Sequence, residues 1–294
     1  MPFSIKNINR VLAFVSLMML QACEKEITVD LPPGKEQLVV EASINQLFPN
    51  LNYVFITRTI DYFNPDLSLN GVRNALVYIT PGTINGNDTT FNTSNRIQLF
   101  DINSIPGVDS ILNGLSGIYF NPTLLPQEGI PYLLEIDAEG RSIRGQTTIP
   151  KVITIDTLYY RLEFDEQEGD TDVFVTFEFK DGPEQNNYRL FGYKSFNPFL
   201  IGWGTADFSR EFDDGFLNNG VRPYSFFSPF NYGDTLNIYL TSIGRKEYLF
   251  WESFDDAAGN GGPFATPATV KSNITGAIGS FTGYGVSYNR TILR

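Results

Sequence analysis

Histidine is absent from all 294 residues, and cysteine occurs once, as Cys23. Without an imidazole the chain has no Ser–His–Asp triad, no His-ligated zinc and no imidazole acid–base catalyst. With a single cysteine it has no internal disulfide. Basic residues are scarce: 21 Lys and Arg stand against 33 Asp and Glu, a formal charge of −12. No basic cluster offsets that charge, so nucleic acid and anionic headgroups are repelled. Long apolar runs are missing too. The stretch 11–20 is about half the roughly twenty residues that an apolar helix needs to cross a bilayer. The chemistry left is that of carboxylates, lysines, tyrosines and hydroxyls. Paired carboxylates can cleave a glycosidic bond, but among 33 acids some pairs arise by chance. We expect no enzyme, no cofactor and no metal site.

The N-terminal segment is the most informative. Lys6 and Arg10 precede the apolar stretch, and Leu20-Gln21-Ala22-Cys23 follows at its end. A basic start, a short apolar core and a small residue before the cut make a secretory signal peptide, residues 1–22. Leu-x-Ala-Cys looks like a bacterial lipobox, with Cys23 acylated (palmitate among the chains) as the first mature residue. Gln21 departs from the strictest form of that pattern. Several acyl chains on one cysteine give stable anchoring where one chain would not, and acylation accounts for a lone thiol in an exported chain. Residues 23–35 read as a tether, with Glu24-Lys25-Glu26 directly after the lipid site and Pro32-Pro33-Gly34 extended and turn-forming.

From Leu38 the pattern becomes that of strands. Seven short apolar or alternating runs, from 38–44 to 142–149, are separated by turn signals such as Pro81-Gly82 and Glu139-Gly140. Residues 36–150 therefore read as an immunoglobulin-like β-sandwich, without the usual Cys–Trp–Cys core. Pro150 marks a boundary. Residues 151–294 read as a second β-rich sandwich or barrel, with strands at 152–164, 172–179, 187–194, 235–242 and 286–293. One amphipathic helix is expected at 245–258. The fold class is all-β.

Two stretches stand apart. Thirteen aromatics fall between Phe191 and Tyr232, separated by Gly, Asn, Pro and Asp. No period holds there for long, so the stretch reads largely as loop. Three uses fit it: packing on its own domain, a protein-partner surface, or a platform for stacking sugars. The candidate partner or ligand surface is Phe196, Phe199, Trp203, Phe208, Phe226, Phe227 and Phe230. The second stretch, 259–284, is rich in glycine. It reads as a structural loop carrying Gly262, Pro263, Phe264, Pro267 and Asn273; a calcium loop at Asp255, Asp256 and Asn260 would lack EF-hand spacing. Asp109-Ser110-Ile111, Asp156-Thr157-Leu158 and Asp234-Thr235-Leu236 match a short Asp–Ser/Thr–apolar pattern of O-glycosylation.

The lipobox with Glu24-Lys25-Glu26-Ile27, the opening Leu38-Val39-Val40-Glu41, and the late helix running into Gly262-Pro263-Phe264, Pro267, Ser272-Asn273-Ile274 and Gly279-x-Phe281 together carry a family likeness. The chain resembles the Bacteroidota lipoproteins known as domain of unknown function 4249, across essentially the whole mature length. The resemblance implies a two-domain β-rich lipoprotein at the outer membrane, and the acidic residues just after Cys23 resemble a signal that sends such lipoproteins to the cell surface. It also implies a partner, an outer-membrane β-barrel of the TonB-dependent transporter kind, and it carries over no catalytic residue. The expected function is thus a non-enzymatic accessory subunit of such a barrel. A free-standing glycan- or peptide-binding lipoprotein is the alternative, and a carboxylate glycosidase is a third.

Overall fold

The computed structural model describes residues 36–60, 70–104, 116–165, 169–181, 186–194, 206–215, 220–227, 230–259 and 269–294. The signal peptide, Cys23 and the tether lie outside them. The fold is all-β and sandwich-like. In chain order the strands are β1 (Leu38–Asn45), β2 (Tyr53–Arg58), β3 (Leu76–Asn85), β4 (Asp88–Phe91), β5 (Ile97–Asp101), β6 (Ile118–Phe120), β7 (Pro131–Ala138) and β8 (Arg141–Thr148). They continue as β9 (Ile155–Asp165), β10 (Asp170–Asp181), β11 (Asn187–Tyr193), β12 (Phe208–Asp213), β13 (Gly220–Phe227), β14 (Thr235–Ile243), β15 (Ile274–Thr275) and β16 (Ile278–Ile292). Between β14 and β15 runs the helix Arg245–Gly259, the one α-helix among the described residues.

Thirteen strands form one sheet in the order β12-β11-β14-β16-β1-β2-β6-β5-β3-β7-β8-β15, with β4 on β3; β13-β10-β9 form a second. In the first half, β5 pairs with both β6 and β3 and joins two layers. Between those layers lie Leu38, Val40, Val54, Ile56, Val77, Ile79, Leu134, Ile136 and Ile143. In the second half the small sheet covers β11 and β14. Val173, Val175, Phe177 and Phe179 alternate along β10 and meet Tyr188, Leu190, Leu236, Ile238 and Leu240. This is the period-2 pattern of a strand with one face against another layer. A third core joins the halves, with Leu51, Tyr53 and Ile118 against Phe191, Tyr239, Trp251 and Tyr284. Each such side chain contributes roughly 1.5–3 kcal/mol by leaving water, so the join is as apolar as either half.

Pro150 therefore falls between two cores but not between two separate units, because Glu36–Arg294 forms one compact unit. The cause is β16. Its first part, from Ile278 to Tyr284, runs parallel to β1, and its second, from Gly285 to Ile292, runs antiparallel to β14. A short β15 also returns to pair with β8. The C-terminal strand is thus a shared spine, and the two predicted sandwiches fold around it together.

Candidate functional site

The structure turns part of the predicted aromatic surface inward. Phe226 and Phe230 are 5% and 2% exposed. Phe208 is half-buried and stacks on Phe226 at 4.7 Å, while Phe212 stacks on Tyr224 at 4.3 Å. The expectation of an open surface at Phe208, Phe226 and Phe230 is corrected here. The reason is that much of the presumed loop is strand: β12 pairs with β11, and β13 pairs with β10, where Phe227 stands opposite Phe174. Alternation then sends Phe208, Phe212, Tyr224 and Phe226 between the two sheets. Phe196, Phe199 and Trp203 lie outside the described residues, as do Gly262, Pro263, Phe264 and Pro267 of the glycine-rich motif.

Asn273, the described member of that motif, acts as a splint. It exchanges two hydrogen bonds with the Phe281 backbone, Nδ2 to the carbonyl at 3.0 Å and Oδ1 from the N–H at 2.8 Å. Its Nδ2 also donates to Glu247 Oε1 at 3.1 Å. Glu247, in the first turn of the helix, is buried and accepts a second bond from Thr147 Oγ1 at 3.0 Å, while Thr147 accepts from Gly283 N at 3.0 Å. Burial pushes the Glu247 carboxyl up, against these hydrogen bonds. The first turn of a helix favours a negative charge. The motif therefore ties β8, β16 and the helix start together.

A second polar centre lies under the same helix. Arg189 Nε on β11 is 2.7 Å from Glu211 Oε1 on β12, and both side chains are less than a tenth exposed. The two atoms are in ionic contact without hydrogen-bond alignment. The guanidinium carbon sits 3.4 Å from the centroid of Trp251 and 4.9 Å from that of Phe191. Its terminal nitrogens donate long, 3.5 Å bonds to Tyr284 and Ser209. Burial pushes Glu211 up to about 7; Arg189 opposes this, and a side-chain hydrogen bond with Asp255 of the helix adds to it. Tyr284 is pushed up to about 12 by burial. The sequence offered no signal for this centre, since Arg189 and Glu211 meet only through the pairing of β11 with β12.

A different aromatic group reaches solvent at one ring, Tyr288, with Phe48 and Tyr193 half-buried beneath it. Phe48, in the loop after β1, packs edge-on against Tyr239 at 5.6 Å and Tyr288 at 6.1 Å. Tyr193 meets Tyr239 edge-on at 5.4 Å. Tyr288 is 40% exposed, its hydroxyl donates to Asn237 Oδ1 at 2.9 Å, and Leu47 and Ile292 are exposed beside this group in the chain and on the strand. The shelf combines ring faces with hydroxyl and amide groups, a chemistry that suits sugars and peptide side chains. Among the described residues no group of three or more acids or thiols is set to hold a metal ion. No described helix is long and apolar enough to cross a membrane.

A family model described as a domain of unknown function (DUF4249) matches residues 24–290. No curated protein matches the chain.

Proposed function

We propose that this chain, which belongs to the domain of unknown function (DUF4249) family, is a non-enzymatic lipoprotein that serves as an accessory subunit of an outer-membrane β-barrel complex of the TonB-dependent transporter kind. The observation that carries the reading is Cys23. It is the one cysteine, it ends an apolar stretch with a basic start, and it precedes a compact unit that begins at Glu36. Acyl chains there hold the folded unit at the outer membrane, facing outward. Tethering in the same membrane raises the effective concentration of a barrel partner, so a modest interface stays occupied. The contact surface is the shelf of Phe48, Tyr193 and Tyr288. The buried carboxylates support a non-catalytic role because each already has structural work. Glu247 holds Thr147 and Asn273, Glu211 holds Arg189, and Asp214 accepts from Asn186 N at 2.8 Å.

The test is affinity purification of the tagged full chain from membranes in mild detergent, beside Cys23→Ala and Tyr288→Ala. We expect a stoichiometric large β-barrel with the wild type, none with Cys23→Ala, which leaves the membrane fraction, and a weakened yield with Tyr288→Ala. A clean monomer, under conditions that preserve barrel–lipoprotein complexes, would sink the subunit reading. The exposure of Tyr288 favours a second reading, a free-standing glycan or peptide receptor. It requires saturable ligand binding by the lone chain that Tyr288→Ala abolishes.

A further inference from the structure

β1 accompanies β16 for only part of its length. Their parallel pairing ends at Asn45, opposite Tyr284. Just beyond, the Gln46 side chain takes the place of a strand. Its Nε2 donates to the Val286 carbonyl at 2.8 Å, and its Oε1 accepts from the Val286 N–H at 3.0 Å. The chain then turns away, and Phe48 packs on Tyr239 and Tyr288. β16 runs on to Ile292 with β14 on its other side.

Val286 fixes where the remaining backbone groups of β16 point. Its N–H and C=O face the β1 side, and in an antiparallel pair that direction alternates from residue to residue. The groups of Tyr288, Arg290 and Ile292 therefore face the β1 side as well, while those of Ser287, Asn289 and Thr291 face β14. The end of the strand agrees. Leu293 N donates to the Asp234 carbonyl at 3.0 Å and its carbonyl accepts from Gly233 N, both on the β14 side. Arg294 N donates instead to the Tyr160 hydroxyl of β9 at 2.7 Å. Gln46 and Tyr160 thus close the two ends of this edge. Between them Arg290 N donates to Asn289 Oδ1 at 2.7 Å. Among the described residues nothing else bonds the edge-facing groups of Tyr288, Arg290 and Ile292, and all three residues are exposed.

An unpaired strand edge is a template for another chain, and native edges are usually blunted. This one is about 17 Å long from Tyr288 to Ile292. It is continuous with the shelf, because Tyr288 and Ile292 are exposed on one face of β16 and Leu47 is exposed where β1 turns away. We infer that the β16 edge from Tyr288 to Ile292 receives an extended segment of the barrel partner as an added strand, in the lane that β1 leaves at Asn45. The inference rests on the subunit reading for the partner and adds how that partner is held. Backbone hydrogen bonds supply the grip, and alternate side chains of the segment lie beside Tyr288 and Ile292. Arg290, between them, has no ion-pair partner among the described residues. The segment is therefore apolar at alternate positions, with a carboxylate opposite Arg290.

Affinity purification of the tagged full-length chain from membranes in mild detergent tests this, with Ile292→Pro, Ile292→Ala and Arg290→Glu. Proline removes an edge-facing N–H and spares the ladder with β14, a position that strands tolerate. Far-ultraviolet circular dichroism checks the fold. Barrel recovery is expected to fall about tenfold with Ile292→Pro, through a lost hydrogen bond and a ring in the lane. It should fall clearly less with Ile292→Ala, which keeps the N–H, and it should fall with Arg290→Glu. Should Ile292→Pro fail to fold, hydrogen–deuterium exchange of the wild-type complex decides: the Tyr288 and Ile292 amides must exchange more slowly than in the lone chain. Equal losses with Ile292→Pro and Ile292→Ala, or no added protection at those amides, overturn the added strand and leave the subunit reading standing. An unchanged yield with Arg290→Glu overturns the carboxylate. No barrel with the wild type overturns both readings. Recovery of a second, differently tagged copy of this chain in place of a barrel overturns the choice of partner.

Discussion

Gly279→Ala is expected to destabilise the protein by about 4 kcal/mol or more, the range reached only through a specific mechanism such as strain or a lost network. Gly279 stands opposite Val40 where β16 runs parallel to β1. A Cβ there would lie 1.8 Å from the Val40 carbonyl oxygen, 2.7 Å from its carbon and 2.9 Å from its nitrogen. These are backbone atoms of a paired strand and have no rotamer by which to yield. The residue also has φ +144°, a region that costs an L-residue roughly 1–3 kcal/mol before any clash. Relief requires β1 and β16 to part, which forfeits ladder hydrogen bonds at about 0.5–1.5 kcal/mol each. It also opens the apolar join between the halves. Denaturant unfolding followed by far-ultraviolet circular dichroism measures the loss, with Gly86→Ala as control. Gly86 has positive φ but nothing within 4 Å of its Cβ position, so its substitution reports strain alone, about 1 kcal/mol. If the two variants lose the same amount, the spine role of β16 is wrong.

The same residue shows why half of the spine was not legible in the sequence. Residues 286–293 read as a strand, but Ile278–Gly285 did not, because Gly279, Gly283 and Gly285 look like loop composition. They are glycines for contact. A Cβ at Gly283 would meet the Thr148 carbonyl oxygen at 2.9 Å, and one at Gly285 would meet that of Pro150 at 2.6 Å. The end of β8 crosses here against the backbone of β16. Close approach between distant segments leaves no local periodicity, and a single sequence records it as weak strand. By contrast β1, β8, β10 and the helix were read to within a few residues. Their burial alternates with the local period, as in Val173, Val175, Phe177 and Phe179.

The aromatic stretch failed for a related reason. Phe208 and Phe212 on β12, and Tyr224 and Phe226 on β13, alternate correctly over only six to eight residues each. Arg210, Glu211 and Pro223 interrupt the apolar pattern. Glu211 points to the opposite face from Phe212 and there finds Arg189. Nothing local marks it out, since Asp207, Asp213 and Asp214 lie in the same run and its cation lies on another strand. The shelf around Tyr288 was equally hidden. Phe48, Tyr193 and Tyr288 come from three parts of the chain, joined through Tyr239 and the pairing of β11, β14 and β16.

Arg189→Met is expected to cost about 3–5 kcal/mol near pH 8, whereas Arg189→Met with Glu211→Leu should recover most of that loss. Breaking a buried ion pair by removing one partner leaves the other charge buried without compensation. Replacing both by apolar groups of similar volume is often neutral or better. The guanidinium also lies against Trp251 and Phe191, stacking worth about 0.5–2 kcal/mol, which methionine replaces only in part. The single variant carries a signature in pH. Arg189 now pulls the Glu211 carboxyl down against burial, so its removal raises the folded value further above the ordinary 4.5. Glu211 then binds a proton more tightly in the folded chain than in the unfolded one, which favours folding as pH falls. The deficit of Arg189→Met should therefore shrink between pH 8 and pH 5, while that of the double variant should widen, because the wild type gains stability as Glu211 takes up its proton through about 7 and the double variant has no such group. Urea unfolding of the four members of the cycle at both pH values measures this. A double variant no more stable than Arg189→Met at pH 8 would mean that the cost lies in lost packing on Trp251 rather than in a stranded carboxylate.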